Sequence, residues 1–267
     1  MDTMKRVELP EITLNVYDEG DGEVILFVHA FPLDHTIWQP QLEAFSDSHR
    51  VIAPDLRGFG LSEATSGTVG MDRFADDLAA LLDALWATER VTLCGLSMGG
   101  YIAWQFWKLH PHRLRRLILC DTKALPDNEE TKKTRADVAD RILKEGPGFL
   151  ATDVTPRLVS KETQQNRPEV VASLQDVIQR SQPEGVAAAL RGMAARPDAT
   201  DWLPMIEVPT LLISGTDDLI SPPREMNAIA EKMPNAKFVE IPNAGHMTTV
   251  ENPEAVNAAI RQFLAET

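Results

Sequence analysis

The chain has 267 residues, of which 43% are hydrophobic and 25% charged, and its 26 basic and 40 acidic side chains give a net charge of −14 at pH 7. This composition is too apolar for a disordered chain and is typical of a globular protein that buries a substantial core. The acidic balance excludes nucleic acid as an expected partner and disfavours anionic membrane surfaces, because both are bound through clustered cations.

The start of the chain and its cysteines predict a cytoplasmic protein. The first residues, MDTMKRVELPEITL, contain charged residues and a proline where a targeting segment would need a continuous apolar stretch. The longest apolar stretch, 24–31, is far shorter than a membrane span. Cys94 and Cys120 lie in apolar runs, which predicts buried reduced thiols rather than a disulfide framework.

Strand-like and helix-like segments alternate along the chain. Residues 12–17 alternate in polarity, which predicts a half-exposed edge strand. Apolar runs typical of buried strands follow at 24–28, 51–53, 91–94, 117–120 and 210–213, with a shorter mixed strand at 238–241. Helical patterns lie at 71–87, 98–109, 224–233 and from Asn252 onward, with Ser221-Pro222 and Asn252-Pro253 as the starts of the last two. The alternation predicts an α/β fold, a mostly parallel central sheet with helices on both faces.

One stretch interrupts this alternation. Between residues 123 and 203 the sequence contains no buried strand, but amphipathic segments at 129–145 and 168–180 and a helical segment after Gln182-Pro183. We therefore predict a helical insertion at 123–203, placed between two strands of a core domain that consists of 1–122 and 204–267.

The strongest motif is Gly95-Leu96-Ser97-Met98-Gly99, which lies between the predicted strand 91–94 and a helix that is apolar nearly all round. A serine on such a sharp strand-to-helix turn is exposed as a nucleophile, and the glycines let strand and helix pass closely. The N–H of Met98 then points into the site, where the helix N-terminus favours an oxyanion.

A serine nucleophile needs a general base, and His246 is the best placed histidine. It lies in the loop after strand 238–241, at the carboxyl edge of the sheet, where open α/β sheets bind ligands. The remaining histidines are predicted to have surface or structural roles: His29, His35, His49, His110 and His112.

The base in turn needs a carboxylate that orients its imidazole. The segment SGTDDLISPP follows strand 210–213 and offers two aspartates, of which we predict Asp218. Asp217, its neighbour, and Asp121, at the end of strand 117–120, are the alternatives.

These features resemble the α/β-hydrolase superfamily, and within it the small cap-bearing esterase and 3-oxoadipate enol-lactonase-like group. The chain order Ser97, Asp218, His246 is that family's order, and the resemblance covers nearly the whole chain. Further matching segments are HAFP at 29–32, DLRGFGLS at 55–62, GTDD at 215–218, and Gly245-His246 followed by Glu251. The resemblance implies the α/β-hydrolase fold with a helical cap over the nucleophile.

The resemblance also implies a second donor for the oxyanion hole. In the family the first segment has the pattern H-G-x-P, and the residue after the glycine donates the N–H that partners the one after the nucleophile. Here that residue is Phe31, the partner of Met98, and Ala30 stands where glycine is usual. An unusual backbone angle at Ala30 would weaken this assignment.

Several reactions of related proteins are excluded by the residues present. Haloalkane dehalogenases and epoxide hydrolases have an aspartate where this chain has Ser97, and epoxide hydrolases also use cap tyrosines, which 123–203 lacks. The sequence contains no phosphate loop, dinucleotide fingerprint or metal-ligand cluster, so no cofactor and no metal are predicted.

We therefore predict a serine esterase that hydrolyses small short- to medium-chain carboxylic esters, as a monomer or small homo-oligomer. The chief alternative is an enol-lactone hydrolase of aromatic catabolism, whose anionic substrate needs a cation in the cap. The candidate cations are Arg135, Arg157, Arg180, Arg191 and Arg196. A cofactor-free perhydrolase and a ligand receptor that reuses the fold are further alternatives.

Overall fold

The computed structural model describes residues 3–267, and its strands form one eight-stranded sheet. The strands are β1 (Met4–Glu8), β2 (Thr13–Glu19), β3 (Val24–Val28), β4 (Arg50–Pro54), β5 (Val91–Leu96), β6 (Leu114–Cys120), β7 (Thr210–Gly215) and β8 (Ala236–Ile241). Their order in the sheet is β1-β2-β4-β3-β5-β6-β7-β8. Only β1–β2 and β2–β4 pair antiparallel, which confirms the predicted mostly parallel sheet.

Strand β1 has no counterpart among the predicted strands. Its residues, MKRVE, form no apolar run and are only partly buried, because the strand lies at the edge of the sheet and pairs with β2 alone. Charged side chains are common on such edge strands, where they discourage pairing with another chain.

Six helices pack around the sheet: α1 (Gln39–Phe45), α2 (Met71–Ala84), α3 (Met98–Leu109), α9 (Pro223–Ala230), α10 (Thr248–Glu251) and α11 (Pro253–Glu266). Asn252 caps α11 as predicted, since its side chain accepts a hydrogen bond from Ala255 N (3.3 Å). The predicted start of the helix at 224–233 was wrong. Pro222 occupies the N-cap position of α9, and the hydroxyl of Ser221 is buried without a hydrogen-bond partner in the described chain.

Five helices lie between β6 and β7: α4 (Glu129–Glu145), α5 (Gly148–Leu158), α6 (Lys161–Asn166), α7 (Pro168–Arg180) and α8 (Pro183–Ala194). Three correspond to the predicted amphipathic segments, whereas α5 and α6 carry too weak a pattern to have been predicted. Residues 1 and 2 of the predicted core domain lie outside the described residues. Within 3–267, no helix has both the length and the apolar character needed to cross a membrane.

Candidate active site

Ser97 occupies a strained turn between β5 and α3. Its backbone is left-handed, with φ 55° and ψ −108°, a conformation that non-glycine residues rarely adopt. The flanking glycines allow the close approach: a Cβ on Gly95 would lie 2.5 Å from the carbonyl oxygen of Gly99, and one on Gly99 would lie 2.2 Å from that of Val28. The turn therefore requires glycine at both positions, as the motif predicts.

The turn is fastened to the end of the neighbouring strand β6. Ser97 N donates a hydrogen bond to Cys120 O (2.9 Å), and the hydroxyl of Thr122 donates one to Ser97 O (2.7 Å). A Cβ on Gly100 would lie 2.3 Å from that same hydroxyl oxygen. These contacts hold the strained residue in one position.

Ser97, His246 and Asp218 form a continuous chain of hydrogen bonds. His246 Nε2 lies 2.8 Å from Ser97 Oγ, and His246 Nδ1 lies 2.8 Å from Asp218 Oδ2. A carboxylate only accepts hydrogen bonds, so Nδ1 carries the proton and Nε2 is free to accept from the serine hydroxyl. This is the tautomer that a general base for Ser97 requires.

Asp218 is held as a carboxylate in a buried position, with 3% of its surface exposed. Its second oxygen accepts hydrogen bonds from Ile220 N (2.7 Å) and Ser221 N (3.0 Å). Burial opposes ionisation, but the imidazole of His246 and these two N–H donors outweigh it and keep the pKa of Asp218 below its ordinary value.

The two alternative aspartates occupy different environments. Asp217 is exposed. Asp121 is fully buried, and its carboxyl group accepts from Gly215 N (2.9 Å) and from the hydroxyl of Thr248 (2.5 Å) instead of from an imidazole. Burial, followed by the neighbouring charge of Asp218, raises the pKa of Asp121 well above its ordinary value. Asp121 therefore does not take the place of Asp218 as the partner of His246.

Phe31 and Met98, the two candidates for the oxyanion hole, have uncommitted backbone donors. Neither N–H donates to an acceptor within residues 3–267. The φ angle of Ala30 is not positive, so alanine causes no backbone strain at the position where glycine is usual in the family. The ring of Phe31 packs edge-on against Phe59, with centroids 6.2 Å apart, which fixes the loop.

The histidines at 29, 49, 110 and 112 lie outside this chain of hydrogen bonds. His29 is fully buried: its Nδ1 donates to Ala30 O (2.9 Å) and its Nε2 accepts from Leu56 N (2.9 Å), while burial lowers its pKa. His110 contacts Asp76 at 2.8 Å, and His49 contacts the hydroxyl of Ser48 at 2.9 Å. His112 is exposed.

One group of potential metal ligands is not apparent in the sequence, because its members come from different elements. Ligand atoms of Asp34, His35 and Asp55 lie within 4.8 Å of one another. The acceptors are already occupied, since Asp55 accepts from His35 Nδ1 (2.6 Å), Asn15 Nδ2 (2.8 Å) and Leu61 N (3.0 Å). His35 and Asp55 thus form a hydrogen-bonded brace for the 55–62 loop.

The arginines of 123–203 that were considered for an anionic substrate are either exposed or paired with an aspartate. Arg135 and Arg196 both pair with Asp127, at 2.5 and 2.8 Å. Arg191 pairs with Asp140 at 3.0 Å. The two others, Arg157 and Arg180, are exposed residues.

Comparison with known proteins places these observations in a family. The sequence profile described as alpha/beta hydrolase fold matches residues 23–253. A thermophilic esterase from Thermogutta terrifontis is 47% identical, with 98% of each chain covered and a TM-score of 0.96. The enol-lactonase from Burkholderia xenovorans LB400 is 30% identical over 98% of this chain and 100% of its own, with a TM-score of 0.91. The 3-oxoadipate enol-lactonase 2 of Acinetobacter baylyi is 27% identical over 257 residues, 95% of this chain and 94% of that protein.

Proposed function

The chain belongs to the alpha/beta hydrolase family, and we propose that it is a serine esterase that hydrolyses small short- to medium-chain carboxylic esters. The observation that carries this proposal is the hydrogen-bonded series Ser97–His246–Asp218, with both distances at 2.8 Å. The similarity to an esterase over 98% of both chains supports the substrate class.

In the proposed reaction, Ser97 Oγ attacks the ester carbonyl while His246 Nε2 accepts the hydroxyl proton. Asp218 stabilises the resulting imidazolium, and the N–H groups of Phe31 and Met98 stabilise the tetrahedral oxyanion. Collapse of this intermediate expels the alcohol, which takes the proton from His246. Water then attacks the acyl-enzyme by the same route, releases the acid and restores Ser97.

We propose that the helical segment 123–203 acts as a cap that covers Ser97 and shapes the acyl and alcohol pockets. Contacts with the loops that carry the site support this role. Ser181 Oγ donates to Pro32 O (3.2 Å), next to the oxyanion loop, and His246 N donates to Leu158 O (2.9 Å).

Hydrolysis of an enol-lactone is the second candidate, supported by the similarity to two enol-lactonases. The ester is preferred because Arg135 and Arg196 are already paired with Asp127. Perhydrolysis would use the same acyl-enzyme with peroxide in place of water, and a receptor would acylate without steady-state turnover.

We also propose that the protein works in the cytoplasm as a monomer or small homo-oligomer. Cys94 and Cys120 lie buried on the adjacent strands β5 and β6, where free thiols pack as small apolar side chains.

The test is hydrolysis of p-nitrophenyl acetate and butyrate by the wild type and Ser97→Ala. We expect kcat to fall by at least about 10³-fold, because no other group replaces the nucleophile. Ser48→Ala removes an exposed serine and serves as the matched control with unchanged turnover. Turnover retained by Ser97→Ala would overturn the proposal.

The substrate class is tested with p-nitrophenyl esters from C2 to C12 and 3-oxoadipate enol-lactone. We expect the highest kcat/KM for a short- or medium-chain ester. A higher kcat/KM for the lactone would favour the second candidate, and a stoichiometric burst without turnover would favour a receptor.

A further inference from the structure

The carboxylate of Glu251, in α10, connects the histidine loop to the helices between β6 and β7. The side chain is buried, with 6% exposure. Its Oε1 accepts hydrogen bonds from Gly245 N (2.9 Å) and Met247 N (3.1 Å), the residues on either side of His246. Its Oε2 accepts from Ser160 N (2.7 Å) and the hydroxyl of Thr163 (2.7 Å), where α6 begins.

Direct contacts between the same two segments accompany this carboxylate. His246 N donates to Leu158 O (2.9 Å). Arg167 Nη1 donates to the carbonyl oxygens of Val250 (3.2 Å) and Glu251 (2.8 Å), at the end of α10. A Cβ on Gly245 would lie 2.7 Å from Ser160 N, so glycine is needed for this approach.

Three successive backbone N–H groups therefore donate hydrogen bonds that fix the histidine loop. Those of Gly245 and Met247 bind Glu251, and that of His246 binds the carbonyl oxygen of Leu158. A buried carboxylate with four donors has little freedom to move, since each displaced donor would lose a charge-assisted hydrogen bond without access to water. The segment 158–163 supplies two of those donors and the acceptor for His246 N. The backbone position of His246 thus depends on where this segment lies.

We propose that Glu251 is a positioning residue for His246, and that it acts only when segment 158–163 lies against the histidine loop. This rests on the proposed function, because it takes His246 as the general base. A shift of about 1 Å in a catalytic group can cost about 10²-fold in rate, so contact between cap and loop becomes a condition for full activity.

The test compares kcat and KM of variants on p-nitrophenyl acetate, the smallest ester of the series. Thr163→Val keeps the side-chain shape but removes the hydroxyl that binds Glu251, and we expect kcat to fall about tenfold with KM within about twofold. Thr163→Ser, which keeps the hydroxyl, restores kcat. Thr155→Val is the matched control: its hydroxyl is equally buried in α5 but donates to Ala151 O (2.6 Å) within the same helix, so kcat stays unchanged.

Glu251→Gln removes the charge and places an amide against donors, and we expect kcat to fall about 10²-fold. In the double variant with Thr163→Val the two losses are not additive, because both substitutions act on one network. Should Glu251→Gln fail to fold, as judged by circular dichroism, Thr163→Val and its serine rescue decide the question.

A second readout does not depend on substrate. The proton on His246 Nδ1, bonded to Asp218, gives a far-downfield proton NMR signal, and we expect this signal to shift or broaden in Thr163→Val but not in Thr155→Val. Folded Thr163→Val with wild-type kcat and an unshifted signal would overturn the proposal. Failure of the esterase assignment is distinguishable, because then either the wild type would show no turnover or Ser97→Ala would keep it, whatever these variants do.

Discussion

Each residue of the proposed triad comes from the carboxyl end of a different strand. Ser97 follows β5, Asp218 follows β7 and His246 follows β8, so the parallel sheet brings them to one edge. The left-handed backbone of Ser97 is locally strained. The close contacts at Gly95 and Gly99 and the hydrogen bonds to the end of β6 hold it in this conformation. The proposed nucleophile is thereby held in one position, as catalysis by a positioned group requires.

Three substitutions of aspartate by asparagine test which carboxylate orients the imidazole of His246. Asp218→Asn should lower kcat by about 10⁴-fold, because an amide donor facing Nδ1 favours the wrong imidazole tautomer. Asp217→Asn should have no effect, since this residue is exposed. Asp121→Asn should retain most activity, because an amide can still accept from Gly215 N and contact Thr248. The measurement is steady-state p-nitrophenyl butyrate hydrolysis, and a loss in Asp121→Asn equal to that in Asp218→Asn would contradict the assignment.

At the scale of elements, backbone contacts that only glycine permits join helix α8 to loops of the sheet-containing part of the chain. A Cβ on Gly185, in α8, would lie 2.1 Å from the carbonyl oxygen of Gly58, and one on Gly192 would lie 1.7 Å from that of Val69. Val69 N also donates to Ala188 O (3.1 Å). Helix α8 is therefore seated directly on the core loops.

Gly185→Ala tests this seating. In an unconstrained helix the change would be favourable by up to about 1 kcal/mol, but the clash with Gly58 should make it destabilising by about 1–3 kcal/mol. Gly148→Ala, at the start of α5, is the control, because a Cβ there meets nothing within 4 Å. The measurement is the free energy of unfolding from urea titration. Equal values for the two variants would contradict a close contact between Gly185 and Gly58.

At the scale of the whole molecule, most of the central sheet could be predicted from the sequence, whereas its edge strand β1 could not. Apolar runs predicted five of the eight strands, alternating polarity predicted β2, and a shorter mixed pattern predicted β8. Helical spacing predicted α4 and α7, because these features also depend on local periodicity. Edge strand β1 has no such pattern. The sequence favoured Asp218 over Asp217 by its position after Gly215, and the fold exposes Asp217 while it places Asp218 against His246.

The fold further joins residues that the sequence separates widely. The predicted Ser97, Asp218 and His246 come into hydrogen-bond contact, while their catalytic roles stay predictions. The bonds from Ser160 and Thr163 to Glu251 span 91 and 88 residues, so no motif could have signalled them.

The pH dependence of stability is tested through His35. Burial lowers its pKa, but the hydrogen bond and charge of Asp55 outweigh burial, with a further contribution from Asp34, so the pKa of His35 is raised above 6.5. The folded state therefore binds the proton more tightly than the unfolded state. This stabilisation is complete below about pH 6.5 and is lost as the pH rises through the raised value.

We expect His35→Asn to be less stable than the wild type by about 1–2 kcal/mol at pH 5, with a deficit that shrinks toward pH 9. The pKa of Asp55 is lowered to about 2, despite burial, by its hydrogen bonds and the charge of His35, so Asp55 does not titrate in this range. Urea unfolding of both proteins at pH 5, 7 and 9 provides the measurement. A deficit that grows with pH would contradict the ion pair.

The central claim, an acyl-enzyme on Ser97, is tested most directly by mass spectrometry of the covalent adduct. The protein is incubated with a p-nitrophenyl alkylphosphonate, which mimics the tetrahedral intermediate and is not released. We predict one p-nitrophenol and one phosphonyl group per chain, carried by the peptide that contains Ser97 and absent from Ser97→Ala. Ester hydrolysis that continues while Ser97 is fully modified, or an adduct on another residue, would contradict the account.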